Sequence, residues 1–277
     1  MIFSKLNGLG NDFVITDDRE NKYTENLDEM ARKLCHRRTG IGADGLVFVR
    51  KSETCDVRMQ IFNSDGSEAE MCGNASRCVA LHLFRRKTVN KKHISLDTLA
   101  GIIRTEIINE ARGLVRVDMG APRLTQGEIP MAGNPAETAV NFPLSAAGQT
   151  FHGPAVSMGN PHLVIFTPDI NKVPLSVWGP QLETHPLFPR KTNVEFVQVL
   201  DDKTVRMRVW ERGAGITQAC GTGSCATAVA CVLNHKTEKN ITVKLDGGDL
   251  FIEWPEQKNI FMTGLAQAVF SGEYWGE

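Results

Sequence analysis

The chain has 277 residues, 42% hydrophobic and 23% charged, the make-up of a globular protein with a full core. Lys and Arg number 31 against 32 Asp and Glu, so no basic excess draws it to nucleic acid or to an anionic membrane surface. Its start, Met1-Ile2-Phe3-Ser4-Lys5, lacks a secretory pattern, and no apolar run is long enough to span a bilayer.

Seven cysteines without a disulfide-framework spacing, and with no C-x-x-C, fit reduced thiols in a cytoplasm and lack the spacing of a zinc site. The length predicts about two domains.

In chain order, residues 1–9 read as a strand, and Gly8-Leu9-Gly10-Asn11-Asp12 turns into the buried strand 13–16. Asn26 and Glu29 have the spacing of an N-cap and its N3 partner, opening a helix to about Arg38 that stops at Gly40. The formal G-x-G-x-x-G at 40–45 follows a helix and precedes the strand 46–49. That is the reverse of the dinucleotide-binding order, so it reads as a turn. Residues 56–62 alternate as a half-buried strand, 63–67 form a turn, and a helix then runs from Cys72 to the basic residues Arg85-Arg86-Lys87. Strands are expected at 94–96, 102–108 and 114–119, and the Pro- and Gly-rich segment 121–130 marks a boundary. A strand near Ala155 leads through Ser157-Met158-Gly159-Asn160-Pro161-His162 to the strand 163–166. A helix over 175–183, strands at 194–199 and 205–210, a second cysteine helix, strands to Trp254 and two last strands over 261–274 complete the chain.

The two cysteine helices are copies of one device. Cys72-Gly73-Asn74 and Cys220-Gly221-Thr222 are separated by the same interval as Met59/Met207 and Phe62/Trp210. Leu9-Gly10-Asn11 and Met158-Gly159-Asn160 match with one residue more, and Ile94-Ser95-Leu96 and Ile241-Thr242-Val243 with one fewer. The chain therefore reads as a tandem duplication. Two like halves about a pseudo-twofold axis would bring the two helix starts face to face.

Each helix is small and apolar with almost no polar face, so it belongs inside a core. Its free N–H groups and partial positive charge are expected to lower the thiol pKa of the preceding cysteine and to attract a carboxylate. One thiol in each half suits inversion of a carbon stereocentre, in which one group removes a proton and the other returns one from the opposite face. The helix N–H groups would stabilise the charge that develops on the substrate carboxylate. No lysine stands out as a Schiff-base site, so the chemistry is expected to need no cofactor and no metal. Cys35, Cys55, Cys78, Cys225 and Cys231 read as small buried hydrophobes. Asn11 and Asn160 suit a substrate's amino and carboxylate groups, His162 could polarise a thiol, and Glu211-Arg212 could bind an ammonium and a carboxylate. If Cys72 and Cys220 face each other, oxidation could also join them.

Gly-Leu-Gly-Asn-Asp-Phe (8–13), Phe-Asn-Ser-Asp-Gly-Ser (62–67), Met-Cys-Gly-Asn (71–74) with Arg77-Cys78, Ser-Met-Gly-Asn-Pro-His (157–162), Glu-Arg-Gly-Ala-Gly (211–215) and Ala-Cys-Gly-Thr-Gly (219–223) together resemble the diaminopimelate epimerases. The resemblance implies an α/β (α+β) fold of two pseudo-symmetric domains, each a mixed β-sheet curled around a central helix, with the active site in the cleft between them. The domains would be 1–119 with the tail 264–277, bearing Cys72, and 120–263, bearing Cys220. It implies cofactor-independent interconversion of LL- and meso-diaminopimelate in lysine and peptidoglycan precursor synthesis, with no nucleic acid or membrane partner and a possible homodimer. It implies Cys72 and Cys220 as acid/base thiols assisted by His162 and Glu211. Substrate contacts would fall on Asn11, Asn63, Gly73, Asn74, Asn160, Asn193, Glu211, Arg212, Gly221 and Thr222. Two positions depart from the family pattern: Ala75 stands where many members have Gly, and Gly45 where some have Gln. A proline-racemase-like enzyme and a two-lobed amino-acid binding protein are the alternatives; solvent deuterium at the substrate α-carbon separates enzyme from binder.

Overall fold

The structure, a computed structural model, describes residues 1–276, the Gln257 side chain apart; Glu277, the last residue of the expected tail, lies outside the described residues. The chain divides into two compact units, Met1–Asp118 with the residues from Thr263 on, and Met119–Met262.

In the first unit the chain runs β1 (Ile2–Gly8), β2 (Asn11–Asp17), α1 (Leu27–Cys35), β3 (Gly45–Arg50), β4 (Val57–Asn63), the two-residue β5 (Glu68–Ala69), α2 (Gly73–Arg85), β6 (His93–Thr98), β7 (Gly101–Asn109) and β8 (Leu114–Asp118). The β2–β3 and β4–β6 pairs are parallel, whereas β1–β2, β3–β4, β6–β7 and β7–β8 are antiparallel. Parallel neighbours cannot be joined by a tight hairpin, and α2 lies in the crossover that links β4 to β6. That placement lays α2 on the sheet, where Gly73 to Leu81 are all buried. α1 buries only Ala31, Leu34 and Cys35, the i, i+3, i+4 stripe of a surface helix, against Val14, Leu46 and Phe48.

The second unit contains β9 (Phe142–Ala146), β10 (Gln149–Gly153), β11 (Ala155–Ser157), β12 (Pro161–Phe166), α3 (Leu175–Glu183), β13 (Asn193–Asp201), β14 (Thr204–Glu211), the two-residue β15 (Gly215–Ile216), α4 (Gly221–Leu233), β16 (Asn240–Leu245) and β17 (Gly248–Glu253). Its pairings repeat the first unit's: β11–β12 antiparallel, β12–β13 parallel, β13–β14 antiparallel, β14–β16 parallel and β16–β17 antiparallel. α4 occupies the crossover from β14 to β16, as α2 does from β4 to β6, and packs across β11, β12, β13, β16 and β17. The core beside it gathers Leu163, Val194, Phe196, Leu182 and Phe151. β18 (Phe261–Leu265) carries the chain back to the first unit, where β19 (Gln267–Glu273) pairs antiparallel with β1. Both units are thus mixed sheets, each with a nearly fully buried helix.

Several expectations need correcting. Asn26 does not cap α1 through its side chain. Its backbone is left-handed (φ 52°, ψ 36°), so the side chain is turned away from the first-turn N–H groups, and only its carbonyl accepts, from Met30 N. α1 also ends at Cys35 rather than Arg38, because residues after it fold back as a turn in which Gly40 N donates to His36 O and Ile41 N to Leu34 O. The segment after 130 carries the β9–β10 hairpin, turned by Ala147 and Gly148, both at positive φ. No helix among the described residues is long and apolar enough to cross a membrane.

Candidate active site

Both cysteines occupy the N-cap of their helices in extended backbone, Cys72 at φ −143°, ψ 117° and Cys220 at φ −123°, ψ 112°. The local reason is the same in both. Each cysteine carbonyl accepts the first helical bond, from Ser76 N or Ser224 N at 2.9 and 3.0 Å, and a second bond from that serine's hydroxyl at 3.0 and 2.8 Å. The doubled anchor leaves each side chain projecting beside the N–H groups of the first turn.

Around Cys72 the polar groups form a connected net. Asn11 Oδ1 accepts from the Cys72 thiol at 3.8 Å and from Asn74 Nδ2 at 3.1 Å, while Asn11 Nδ2 donates to Asp44 at 2.9 Å. The fully buried Arg77 donates to Asn74 Oδ1 at 2.9 Å. Arg37 bridges Asp44 to Asp12, and Lys5 pairs with Asp12 at 2.7 Å. Burial would raise the Asp12 carboxyl, but Arg37 and Lys5 outweigh it and bring it to about 2. The asparagine pair is therefore braced by a network of opposite charges. Asn63 is tied to its own turn, donating to Ser67 Oγ at 3.0 Å.

Around Cys220 the surroundings are different. The Cys220 sulfur accepts from Gly223 N at 3.4 Å and lies 3.6 Å from the Thr222 hydroxyl. Asn160 Nδ2 donates to Thr222 Oγ1 at 3.3 Å, and Asn160 Oδ1 meets His162 Nε2 at 3.0 Å. His162 Nδ1 is 2.7 Å from Glu195 Oε1, and neither side chain is exposed. The parallel register sets this up: His162 lies opposite Asn193 on β13, and Glu195, two residues on, shares Asn193's face. Glu211, at the end of β14, accepts from the Thr217 hydroxyl. Its turn is clamped by Glu183, which accepts from Trp210 Nε1 at 2.7 Å and from Gly213 N at 3.1 Å. Arg212 N donates to Asn193 Oδ1 at 2.9 Å and Asn193 Nδ2 to Pro161 O at 2.9 Å. The Arg212 guanidinium lies at the surface, where it donates to Arg190 O at 3.2 Å.

The electrostatics correct one expectation. The helix start alone would lower the Cys220 thiol, but burial first, and then the Glu211 and Glu195 carboxylates, push it well above its ordinary value. The hydrogen bonds from Thr222 and Gly223 counter only part of this. Burial likewise raises the Glu211 carboxyl, against the hydrogen bonds from Thr217 and Cys220. Cys220 therefore rests as a thiol.

Asn11, Gly73 and Asn74 gather at Cys72, and Asn160, His162, Glu211, Gly221 and Thr222 at Cys220. Asn193 braces β12 and the 211–213 turn. None of the seven cysteines is in a disulfide. Among the described residues no group of three or more His, Cys, Asp or Glu is placed to hold a metal ion. Sequence reasoning missed Glu195, Asp44 and Arg77. Glu195 had a signal, a lone charge inside the apolar run Val194-Glu195-Phe196-Val197. Asp44 was hidden in a turn, and Arg77, although part of the motif that follows Cys72, had no role assigned to it.

A family model described as diaminopimelate epimerase matches residues 3–125 and 154–269. The diaminopimelate epimerase of Pelotomaculum thermopropionicum is 54% identical over 99% of both chains, and that of Carboxydothermus hydrogenoformans 52% identical over 99% of this chain and all of its own. Among solved structures, a PhzF-family phenazine biosynthesis protein of Bacillus anthracis superposes with a TM-score of 0.70 at 17% identity, covering 99% of this chain and 98% of its own. A probable proline racemase of Agrobacterium radiobacter does so with 0.70 at 14%, covering 99% and 93%. The fold is shared by all of these.

Proposed function

From the premise that the chain belongs to the diaminopimelate epimerase family, we propose that it interconverts LL- and meso-diaminopimelate by moving a proton at one α-carbon, with Cys72 and Cys220 as the two acid/base groups. The observation that carries this reading is the repeated N-cap: two copies of one helix start, each with a thiol beside the first-turn N–H groups and a carboxamide-bearing loop.

In the proposed reaction one sulfur, as thiolate, takes the α-proton and the other, as thiol, delivers one to the opposite face. The net charge of the site is then unchanged across the step. The carbanion's charge spreads into the α-carboxylate, which the first-turn N–H groups of the two helices would receive, with Asn11, Asn74 and Asn160 holding the α-amino and carboxylate groups. Arg212 would meet the distal carboxylate, Glu211 the distal ammonium, and Asn63 and Asn193 would complete the contacts. The assignment of residues 1–119 with the tail from 264, and of 120–263, as the two epimerase domains belongs to this same reading. So does a homodimer, supported by the exposed Ile2, Val269 and Phe270 on the β1–β19 pair and testable by sedimentation equilibrium.

The test is turnover of LL-diaminopimelate in deuterium oxide by the purified chain with no cofactor added. Meso product carrying an α-deuterium is expected. Absence of exchange would leave only an amino-acid binder, and exchange of proline in place of diaminopimelate would move the chain to the racemase class.

A further inference from the structure

The duplication supplies a control for every residue of the Cys220 site. The register that sets Val164 opposite Glu195 in β12–β13 sets Ile15 opposite Val47 in β2–β3. Where the second unit carries Glu195, the first thus carries Val47, also fully buried. The His162 position is filled by Phe13, buried as well. At the third helical position, Gly223 of α4 corresponds to Ala75 of α2. The fold therefore needs only apolar residues at these places, and the polar set is a feature of one copy.

Glu195 is an unfavourable residue to bury without a purpose. It is 0% exposed, and its Oε2 has no hydrogen-bond partner among the described residues. Its other oxygen is held by His162 and lies against the first turn of α4, where the partial positive charge of the helix start lowers the cost of the buried carboxylate. A Cβ on Gly223 would sit 2.6 Å from Glu195 Oε1 and 3.2 Å from Cys220 Sγ, so the missing methyl is what lets carboxylate and thiol share that turn.

We propose that Glu195 is the positioning residue that makes the two duplicated cysteine sites unlike: anchored by His162 beneath the α4 start, its carboxylate sets a negative charge against the Cys220 turn, so that Cys220 enters the reaction as the proton donor and Cys72, in the copy that carries Val47, as the base. The proposal rests on the two-thiol reading above, and it adds the source of the asymmetry that two like cysteines need. The ionisable groups facing Cys220 are Glu211 from β14 and Glu195 from β13, with His162 of β12 behind Glu195. The Thr222 hydroxyl and Gly223 N–H face it from α4. Only the two carboxylates favour the thiol by charge.

The test compares wild type with Glu195→Gln, isosteric and neutral, and Glu195→Val, the residue of the other copy. Alkylation of Cys220 by iodoacetamide at fixed pH, followed by peptide mass spectrometry in the absence of substrate, is expected to accelerate at least about threefold in both, the direction set by removing a neighbouring negative charge. The alkaline limb of the pH profile of kcat/KM is expected to move to lower pH, while Glu195→Asp keeps the wild-type limb. Unchanged or slower alkylation in a variant with a native circular-dichroism spectrum, or a profile that falls in height with its limbs in place, overturns the proposal. Alkylation needs no turnover, so failure of the epimerase reading and failure of this one are read separately.

Discussion

Gly223→Ala separates helix propensity from site geometry. Gly223 lies inside α4, so backbone propensity alone favours Ala by about 1 kcal/mol. Against this, the new Cβ would stand 2.6 Å from Glu195 Oε1, 3.2 Å from Cys220 Sγ and 3.3 Å from Cys220 Cβ. The carboxylate would have to retreat by several tenths of an ångström to reach ordinary contact, and it is held at 2.7 Å by a His162 ring that is itself fully buried. Overpacking of this kind costs about 1–3 kcal/mol, so the net change in stability should be between about zero and 2 kcal/mol of loss. For a chain of this size that is a fall in Tm of no more than about 8 °C. The effect on turnover should exceed the effect on stability, because the displaced groups are the thiol and its carboxylate: kcat/KM should fall about tenfold or more. Thermal denaturation and a coupled epimerase assay on the same preparation measure both. A variant with raised Tm and wild-type kcat/KM would refute the packing argument, as would an equally harmful Ala75→Gly in the copy that lacks the carboxylate.

Arg77→Leu should cost about 2–4 kcal/mol, since it removes a buried cation together with its hydrogen bond to Asn74 Oδ1; urea denaturation measures it, and a loss under about 1 kcal/mol would contradict the bracing role. Burial and the neighbouring Arg86 lower His82 from 6.5 to about 4 in the folded chain. Between those values the unfolded chain binds more protons, so stability is full above pH 6.5 and falls as pH drops through the window, by at most about 3 kcal/mol. His82→Gln should flatten stability against pH over that range, and an unaltered slope would show that other groups set it.

The elements that read most clearly from sequence were those with a physical period or a steric demand. The two cysteine helices stood out because runs such as Ala226-Thr227-Ala228-Val229-Ala230 have no polar face to give to water, and α3 over Leu175–Glu183 formed where expected. The site residues on turns were legible because Gly-Asn and Cys-Gly recur in matching frames. The β9–β10 hairpin was not expected, because Pro143 within β9 and Gly148 in its turn break the run of strand-forming residues. The state of the Cys220 thiol was not legible. The helix start argues one way, but the result depends on Glu195 and Glu211, which are brought to the sulfur by strand register and not by closeness in sequence. The bracing role of Arg77 was not legible for a related reason: a charge on a helix normally faces water, and it is the burial of the first two turns of α2 that sets Arg77 against Asn74.

The most direct measurement is epimerisation by Cys72→Ala and Cys220→Ala, each shown to be folded by circular dichroism and each assayed in deuterium oxide. The account predicts that both lose LL-to-meso conversion by at least about a thousandfold, the scale expected when a positioned proton-transfer group is removed. Conversion within a few-fold of wild type in either variant would contradict the assignment of that thiol.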